Sequence, residues 1–308
     1  MNGTTFLKAT GETMGCEMDV GRYWEGEVET HRQTAYRYYS RPDELRYPYF
    51  EVRRDRVMEI LNGLEMGKIL DAGCGGGEIL LECLRRGWDA HGCDASPGMV
   101  DWARQQLTRE NYDPLRIQRA SITSMSLYPD QSFDVIVCLG VLEYLNPTDE
   151  RNAFSEFRRT LKPGGNLIAG NGNALFDLTT FNRFTVAFFQ EYFLPKFFRD
   201  QEEIESISAM VKELITHPEK PDRQGKYSTT RDQVYSKSEI PFTYGAKVQP
   251  YGFQETEQIF YRFHATPPLL FEKKPEYEKV SIALEKEYSR HWIGYFLATG
   301  FISVLRKS

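Results

Sequence analysis

Between residues 56 and 173 the sequence alternates helical segments with short apolar segments of the kind that form buried strands. The predicted strands cover residues 68–73, 89–94, 116–121, 133–140 and 165–171. The predicted helices cover residues 56–62, 78–86, 97–107 and 150–160. Strands separated by helices of this length predict βαβ units, and therefore a parallel sheet with helices on both faces.

Two regions lie outside this alternating core, for which we predict the boundaries 56–173. Residues 1–55 are charged and aromatic, and Pro42 and Pro48 interrupt their helical pattern, so we expect an N-terminal helical lid. Residues 174–245 begin with a dense aromatic segment and continue into a helical pattern, which predicts a helical insertion. Residues 246–308 contain two strand-like runs, 254–265 and 294–307, around one more helix at 276–288, and these strands would complete the sheet.

Composition narrows the class of protein. The net charge of −6 gives none of the phosphate attraction that a general nucleic-acid binder needs, so no nucleic-acid partner is predicted. The five cysteines show neither CxxC spacing nor a paired framework, which favours a reducing compartment and predicts no metal site. No run approaches the roughly 18 apolar residues of a membrane span, and no apolar signal segment starts the chain. We therefore expect a soluble, cytoplasmic protein.

The stretch LDAGCGGGEIL, residues 70–80, places four glycines between a predicted strand and a predicted helix. Such a turn lets the backbone and the N-terminus of the helix approach a ligand closely. Dinucleotide binders require G-x-G-x-x-G, but the third glycine of that pattern falls here on Glu78, whose charge would repel a pyrophosphate. The stretch matches acid-x-Gly-x-Gly-x-Gly instead, starting at Asp71, which predicts a ligand with an amino-acid end and no phosphates.

Four ordered motifs resemble those of the class I methyltransferases that use S-adenosylmethionine. They are the glycine turn after Asp71, the acid Asp94 in HGCDASPGMV, the segment 128–145 and the turn LKPGG at 161–165. The resemblance spans about residues 56 to 170. It implies a Rossmann-like α/β fold with a mostly parallel, seven-stranded sheet, an N-terminal lid and a helical insertion after the fifth strand.

The resemblance also implies a set of cofactor-binding residues, in which Asp94 accepts hydrogen bonds from the ribose hydroxyls. The expected set is Asp71, Gly73, Cys74, Gly75, Asp94, Ala95, Met99, Ser121, Ile122, Leu139 and Gly140. Many members carry a carboxylate near the position of Ser121, and here the Ser121 hydroxyl or the backbone around Ile122 would receive the adenine amino group. Either Arg41 or Arg46 would bind the carboxylate of the cofactor.

Methyl transfer requires mainly that the acceptor be held near the methyl group, so the sequence shows no prominent catalytic constellation. The candidates are Glu143 and Tyr144, after the fourth strand, and His264, after a late strand. Related enzymes often carry histidine where Tyr144 stands, and a hydroxyl acceptor benefits from a nearby base. The candidate substrate-binding residues are Tyr39, Arg46 and Asn171.

The C-terminal region resembles, more faintly, bacterial methyltransferases of surface-glycan biosynthesis, through NALFDLTTFNRFT, YRFHATPPLL and HWIGYFLATGFISV. The reaction that follows from these resemblances is O-methylation of a small-molecule or sugar hydroxyl. Three alternatives stay open: N-methylation of an amino sugar or amine, a non-catalytic subunit that binds S-adenosylmethionine, and a nicotinamide oxidoreductase, which Glu78 disfavours. The sequence does not indicate an oligomeric state.

Overall fold

A computed structural model of the chain describes residues 23–32, 49–215, 236–266 and 277–308. Its centre is one seven-stranded sheet with the strand order β3-β2-β1-β4-β5-β7-β6. The strands are β1 (Lys68–Ala72), β2 (Asp89–Asp94), β3 (Ile117–Arg119), β4 (Phe133–Cys138), β5 (Leu161–Gly172), β6 (Phe253–Phe263) and β7 (Ala298–Lys307). The predicted seven-stranded, mostly parallel sheet is confirmed.

Strand direction decides which strand ends meet at one edge. The pairs of β1 with β2, β2 with β3, β1 with β4 and β4 with β5 are parallel, whereas β7 runs antiparallel to both β5 and β6. The carboxyl ends of β1, β2, β4, β5 and β6 therefore lie at the same edge, which is where open α/β sheets bind ligands.

Helices cover both faces of the sheet. They are α1 (residues 23–32), α2 (Tyr49–Asn62), α3 (Glu78–Arg85), α4 (Pro97–Arg109), α5 (Pro147–Thr160), α6 (Arg183–Phe188), α7 (Leu194–Phe197), α8 (Gln201–Leu214), α9 (Pro241–Val248), α10 (Tyr277–Tyr288) and α11 (Gly294–Leu297). Neighbouring strand residues face opposite layers: Ile69 packs with residues of α2 to α4, and Leu70 packs with residues of α5 and α9. Burial on both faces explains the nearly continuous apolar strands of the sequence.

Two helices begin at caps that position the ligand-binding edge. Ser96 precedes Pro97 and accepts a hydrogen bond from the N–H of Met99, which starts α4 directly after β2. Asn146 precedes Pro147 and accepts bonds from the N–H groups of Thr148 and Asp149, which starts α5 after the β4 turn. These local caps hold the ends of β2 and β4 at the same edge.

The segment after β5 forms the insertion that the aromatic sequence predicts. A short 3-10 helix, Ala174–Thr179, leads into α6, and one π-helical segment, Phe189–Phe193, joins α6 to α7. Residues 236–240 follow later in the chain and lie beside β5, where the N–H of Glu239 donates to the carbonyl of Gly172 at 2.8 Å. Residues 236–240 therefore border the end of β5.

The expected boundaries of the lid, core, insertion and C-terminal strands stay predictions. Helix α2 runs without interruption across the predicted lid boundary at residue 55 and begins directly after Pro48. Within the described residues, no helix is both long and apolar enough to cross a membrane.

Candidate active site

The glycine turn between β1 and α3 is held by the neighbouring strand. The N–H groups of Gly73 and Cys74 both donate to the carbonyl of Cys93, at 2.8 and 2.9 Å. Gly73 has a φ of 78°, which L residues rarely adopt, and a Cβ at this position would collide with Val141. The turn therefore needs glycine for its own conformation and for its contact with the segment that follows β4.

Asp94, at the end of β2, supports the same turn. Its carboxylate accepts the N–H of Gly75 at 3.0 Å and the N–H of Ser96 at 2.9 Å. Burial raises the pKa of Asp94, while hydrogen bonds from Ser96, Gly75 and Ala95 oppose this shift. A carboxylate has about four acceptor positions, so Asp94 keeps capacity to accept a ribose hydroxyl as well.

An acid pair and one arginine surround the other side of the turn. One oxygen of Asp71 (Oδ2) and one of Glu78 (Oε1) are buried and have no hydrogen-bond partner among the described residues. Burial raises the pKa of Asp71 to about 7, with a further increase from the charge of Glu78 and an opposing effect of Arg53. Burial also raises the pKa of Glu78. Both acids and Arg53 line one cavity together with Cys74 and Leu139.

Arg53 is a site residue that the sequence analysis missed. It lies on α2, and its Nη1 atom is 3.0 Å from the position that a Cβ of Gly140 would occupy. The expected carboxylate ligands, Arg41 and Arg46, lie outside the described residues, as does Tyr39. No sequence pattern indicates Arg53, because α2 precedes the first motif and carries three neighbouring arginines, Arg53, Arg54 and Arg56.

Helix α1 lies against the glycine turn. The Nε2 atom of His31 lies 3.9 Å from the position that a Cβ on Gly75 would occupy. The ring of His31 contacts the rings of Trp24, Phe50 and Trp102. Burial and the nearby Arg53 lower the pKa of His31 to about 4, so this ring is neutral at pH 7. The sequence analysis had not placed His31 in the site.

Three residues of the expected cofactor-binding set, Met99, Ser121 and Ile122, follow β2 and β3. Met99 is buried and packs with Trp24 and Val28 of α1. The N–H of Ala120 donates to the carbonyl of Asp94, so Ser121 and Ile122 directly follow the contact with Asp94. The Ser121 hydroxyl shares a hydrogen bond with Thr123 at 2.8 Å, and Ile122 is buried.

The turn after β4 lies between the glycine turn, which follows β1, and the end of β5. Leu139 is buried, Gly140 has a φ of 70°, and a 3-10 turn, Leu142–Tyr144, follows. The ring of Tyr144 contacts Trp24 of α1 in an edge-on geometry at 5.5 Å between ring centroids. The Oε2 atom of Glu143 is 3.7 Å from the position of a Cβ on Gly172, which ends β5.

Ser238 meets Glu143 at the end of β5. Its Oγ atom is 3.1 Å from the same Cβ position on Gly172, so a hydroxyl and a carboxylate both pack close to the backbone of this glycine, where a Cβ would be crowded. The N–H of Lys237 donates to the carbonyl of Glu143 at 2.8 Å, which joins the two segments. Ser238 had not been singled out from the sequence, because it lies 66 positions beyond Gly172, after the long insertion.

Four charged residues form a cluster near Ser238, in which Glu150 is buried and the other three are half-buried. Lys237 and Lys247 both form ion pairs with Glu150 and with Glu239. Burial lowers the pKa of Lys237, although both acids oppose this shift. The cluster connects α5, residues 236–240 and α9.

Two other expected residues lie deeper in the fold. Asn171 is buried beside Tyr244, and it lowers the pKa of that hydroxyl against the larger, opposite effect of burial. His264 follows β6, and its ring lies 4.9 Å from that of Phe176 between centroids. Burial, with a contribution from Arg262, lowers the pKa of His264 to about 3. Roles for Asn171 and His264 stay predictions.

These observations fit a cofactor that carries both a ribose and an amino-acid group. Asp94 offers acceptors for ribose hydroxyls, Asp71 and Glu78 offer buried carboxylate oxygens for an ammonium group, and Arg53 offers a cation for a carboxylate. The paired acids would repel a pyrophosphate. Fold and site together define a class I methyltransferase domain, and S-adenosylmethionine is the cofactor of that class.

Comparison with known proteins agrees with this class. Residues 69–165 match the family model described as a methyltransferase domain, so the chain carries such a domain. A ubiquinone biosynthesis O-methyltransferase from Alkalilimnicola ehrlichii is 32% identical over 117 residues, which cover 38% of this chain and 46% of that protein. This chain thus spans about half the length of that curated relative.

Two solved structures share the fold at low sequence identity. The PH0226 protein from Pyrococcus horikoshii matches 89% of this chain and 99% of its own, with 16% identity and a TM-score of 0.50. A chain from the complex that contains the Trm112 methyltransferase activator of Haloferax volcanii matches 92% of this chain and 96% of its own, with 14% identity and a TM-score of 0.51. Both matches extend well beyond the domain, into the lid and insertion regions.

Proposed function

We propose that this chain transfers a methyl group from S-adenosylmethionine to a hydroxyl of a small-molecule or glycan acceptor. The observation that carries this proposal is the pair of Glu143 and Ser238 beside Gly172. This pair lies at the end of β5, at the same sheet edge as the cofactor residues, whereas Tyr144 contacts Trp24 of α1. An acceptor bound there lies next to a carboxylate that can remove its proton.

When bound, the cofactor supplies a methyl group made electrophilic by the positive sulfonium. The chain positions the acceptor and accepts its proton: Ser238 orients the hydroxyl, and Glu143 removes the hydroxyl proton as the oxygen attacks. Tyr144 and Trp24 close the lid side of the turn and keep water from the reacting atoms.

Two observations favour oxygen as the acceptor atom and Glu143 as the base. A neutral amine needs no base, so a carboxylate beside the acceptor space favours a hydroxyl. The relative from Alkalilimnicola ehrlichii is named as an O-methyltransferase, which supports the same choice. His264 is the second candidate base, but a pKa of about 3 makes it a weak proton acceptor.

The test is a methylation assay read by mass spectrometry, with S-adenosylmethionine and a panel of sugars, phenols and amino sugars. We expect methylated products from hydroxyl acceptors, and we expect Glu143→Gln to lower kcat by about 100- to 1,000-fold. Calorimetry with S-adenosylhomocysteine should show unchanged cofactor binding in this variant. His264→Gln serves as the matched test of the other candidate base, and it should retain most of the activity.

Different outcomes point to the alternatives. Methylation of amines only, at a rate that Glu143→Gln leaves unchanged, would identify an N-methyltransferase. Tight binding of S-adenosylmethionine with no product from any acceptor class would favour the non-catalytic binding subunit. Binding of NAD without binding of S-adenosylhomocysteine would refute the proposal altogether.

A further inference from the structure

The N-terminus of α4 is bound by a side chain from a distant part of the chain. Glu25 of α1 accepts a hydrogen bond from the Ser96 hydroxyl at 2.6 Å and another from the N–H of Gly98 at 2.9 Å. These two hydrogen bonds lower the pKa of Glu25, and the bond from Ser96 has the larger effect. A carboxylate at a helix N-terminus is favoured by the helix dipole, and hydrogen bonds to a charged acceptor are stronger than neutral ones.

The same turn supports the carboxylate that would bind the ribose. The N–H of Ser96 donates to Asp94, whose other oxygen accepts the N–H of Gly75. A continuous series of hydrogen bonds therefore runs from the glycine turn through Asp94 and Ser96 to Glu25 on α1. Any change in the position of Ser96 affects both carboxylates.

Aromatic contacts place the rest of α1 across this edge. Trp24 contacts Tyr144, and His31 lies near Gly75, so α1 spans from the end of β4 to the glycine turn. The helix has contacts on both sides of the cofactor residues, and Glu25 is its hydrogen-bonded attachment to α4.

We propose that Glu25 is a positioning residue that latches α1 onto the N-terminus of α4 and thereby couples docking of α1 to cofactor binding at Asp94. The inference rests on the cofactor assigned under the proposed function. Because coupling between two sites is reciprocal, cofactor binding must stabilise the docked α1 by the same factor by which the docked α1 tightens cofactor binding.

The test combines hydrogen–deuterium exchange of α1 with calorimetry of S-adenosylhomocysteine. In Glu25→Gln, amide exchange in α1 should rise in the ligand-free protein, and affinity for S-adenosylhomocysteine should fall by about tenfold. Glu27→Gln is the matched control, because it removes the same charge from the same helix away from Ser96. This control should change neither measurement.

A double-mutant cycle separates the latch from the other roles of Ser96. Ser96→Ala also removes the cap of α4, but in Glu25→Gln/Ser96→Ala the losses of affinity should be clearly less than additive. Additive losses, or faster exchange of α1 in Glu25→Gln with unchanged affinity, would overturn the coupling. Failure of the wild-type protein to bind S-adenosylhomocysteine would overturn the proposed function as well, whereas equal binding by wild type and Glu25→Gln would overturn the latch alone.

Discussion

The cofactor side and the acceptor side of the proposed site are assembled in different ways. On the cofactor side, Asp71, Glu78, Asp94 and Ser96 come from one β-α-β-α stretch of neighbouring chain segments. On the acceptor side, Glu143, Gly172 and Ser238 come from three segments that are far apart in the sequence. The first arrangement depends on local turn geometry, and the second depends on packing of the insertion and its return to β5.

The two sides also differ in how they treat buried acids. Asp71 and Glu78 each keep a carboxylate oxygen without a hydrogen-bond partner among the described residues, whereas Glu150 and Glu239 are paired with two lysines. A buried acid without a partner is costly, so it indicates a ligand that supplies the partner. A buried acid paired within the chain indicates a structural role. We therefore infer that Asp71 and Glu78, which line the cavity at the glycine turn, bind a ligand and that Glu150 and Glu239 are structural.

The largest expected effect comes from the glycine turn itself. In Gly73→Ala, the Cβ would collide with Val141 at a φ of 78°. We expect a loss of about 3 kcal/mol in the free energy of unfolding, from overpacking and backbone strain together. Binding of S-adenosylhomocysteine should become undetectable by calorimetry. Gly63→Ala is the control, since a Cβ there meets only ordinary contact with Ile60; equal effects in both variants would contradict this explanation.

A change on the acceptor side should reduce stability without affecting the cofactor. Lys237→Met leaves Glu150 with one lysine instead of two, and its hydrogen-bonded partner at 2.6 Å is lost. We expect a loss of about 2 kcal/mol in the free energy of unfolding by urea, because the buried Glu150 loses one of its two cationic partners. Affinity for S-adenosylhomocysteine should change by less than about twofold. Lys212→Met, on exposed α8, is the control; parallel losses of stability and affinity in Lys237→Met would show that the two sides are coupled.

The difference between local turn geometry and packing of distant segments also explains which features could be predicted from the sequence. The strands β1 to β5 and the helices between them follow from local periodicity, Asp71 and Gly73 follow from a short motif, and the resemblance to a known family indicates Asp94. The fold confirms the predicted sheet. Arg53, His31 and Ser238 reach the site only through tertiary packing, so no local pattern indicates them. The predicted strand at 294–307 was too long, because residues Gly294–Leu297 form α11 before β7 begins at Ala298.

The acids on the cofactor side also predict how binding depends on pH. The pKa of Asp71 is raised by burial from its usual 3.8 to about 7, so at pH 6 its carboxyl is mostly protonated in the ligand-free protein. An ammonium group binds the ionised form better, so affinity for S-adenosylhomocysteine should rise by up to about tenfold per pH unit below pH 7 and level off above it.

The stability of the ligand-free protein should follow the opposite trend. Between about pH 4 and 7 the folded state keeps a proton on Asp71 that the unfolded chain releases, so Asp71 contributes a loss of stability as pH rises. Calorimetry across this range should show proton release on binding. Asp71→Asn should remove the slope, and 5′-methylthioadenosine, which lacks the amino-acid end, should show none in the wild type. A slope that persists in Asp71→Asn would assign the titration to Glu78, whose pKa is also raised, and would show that the pair shares the ammonium group unequally.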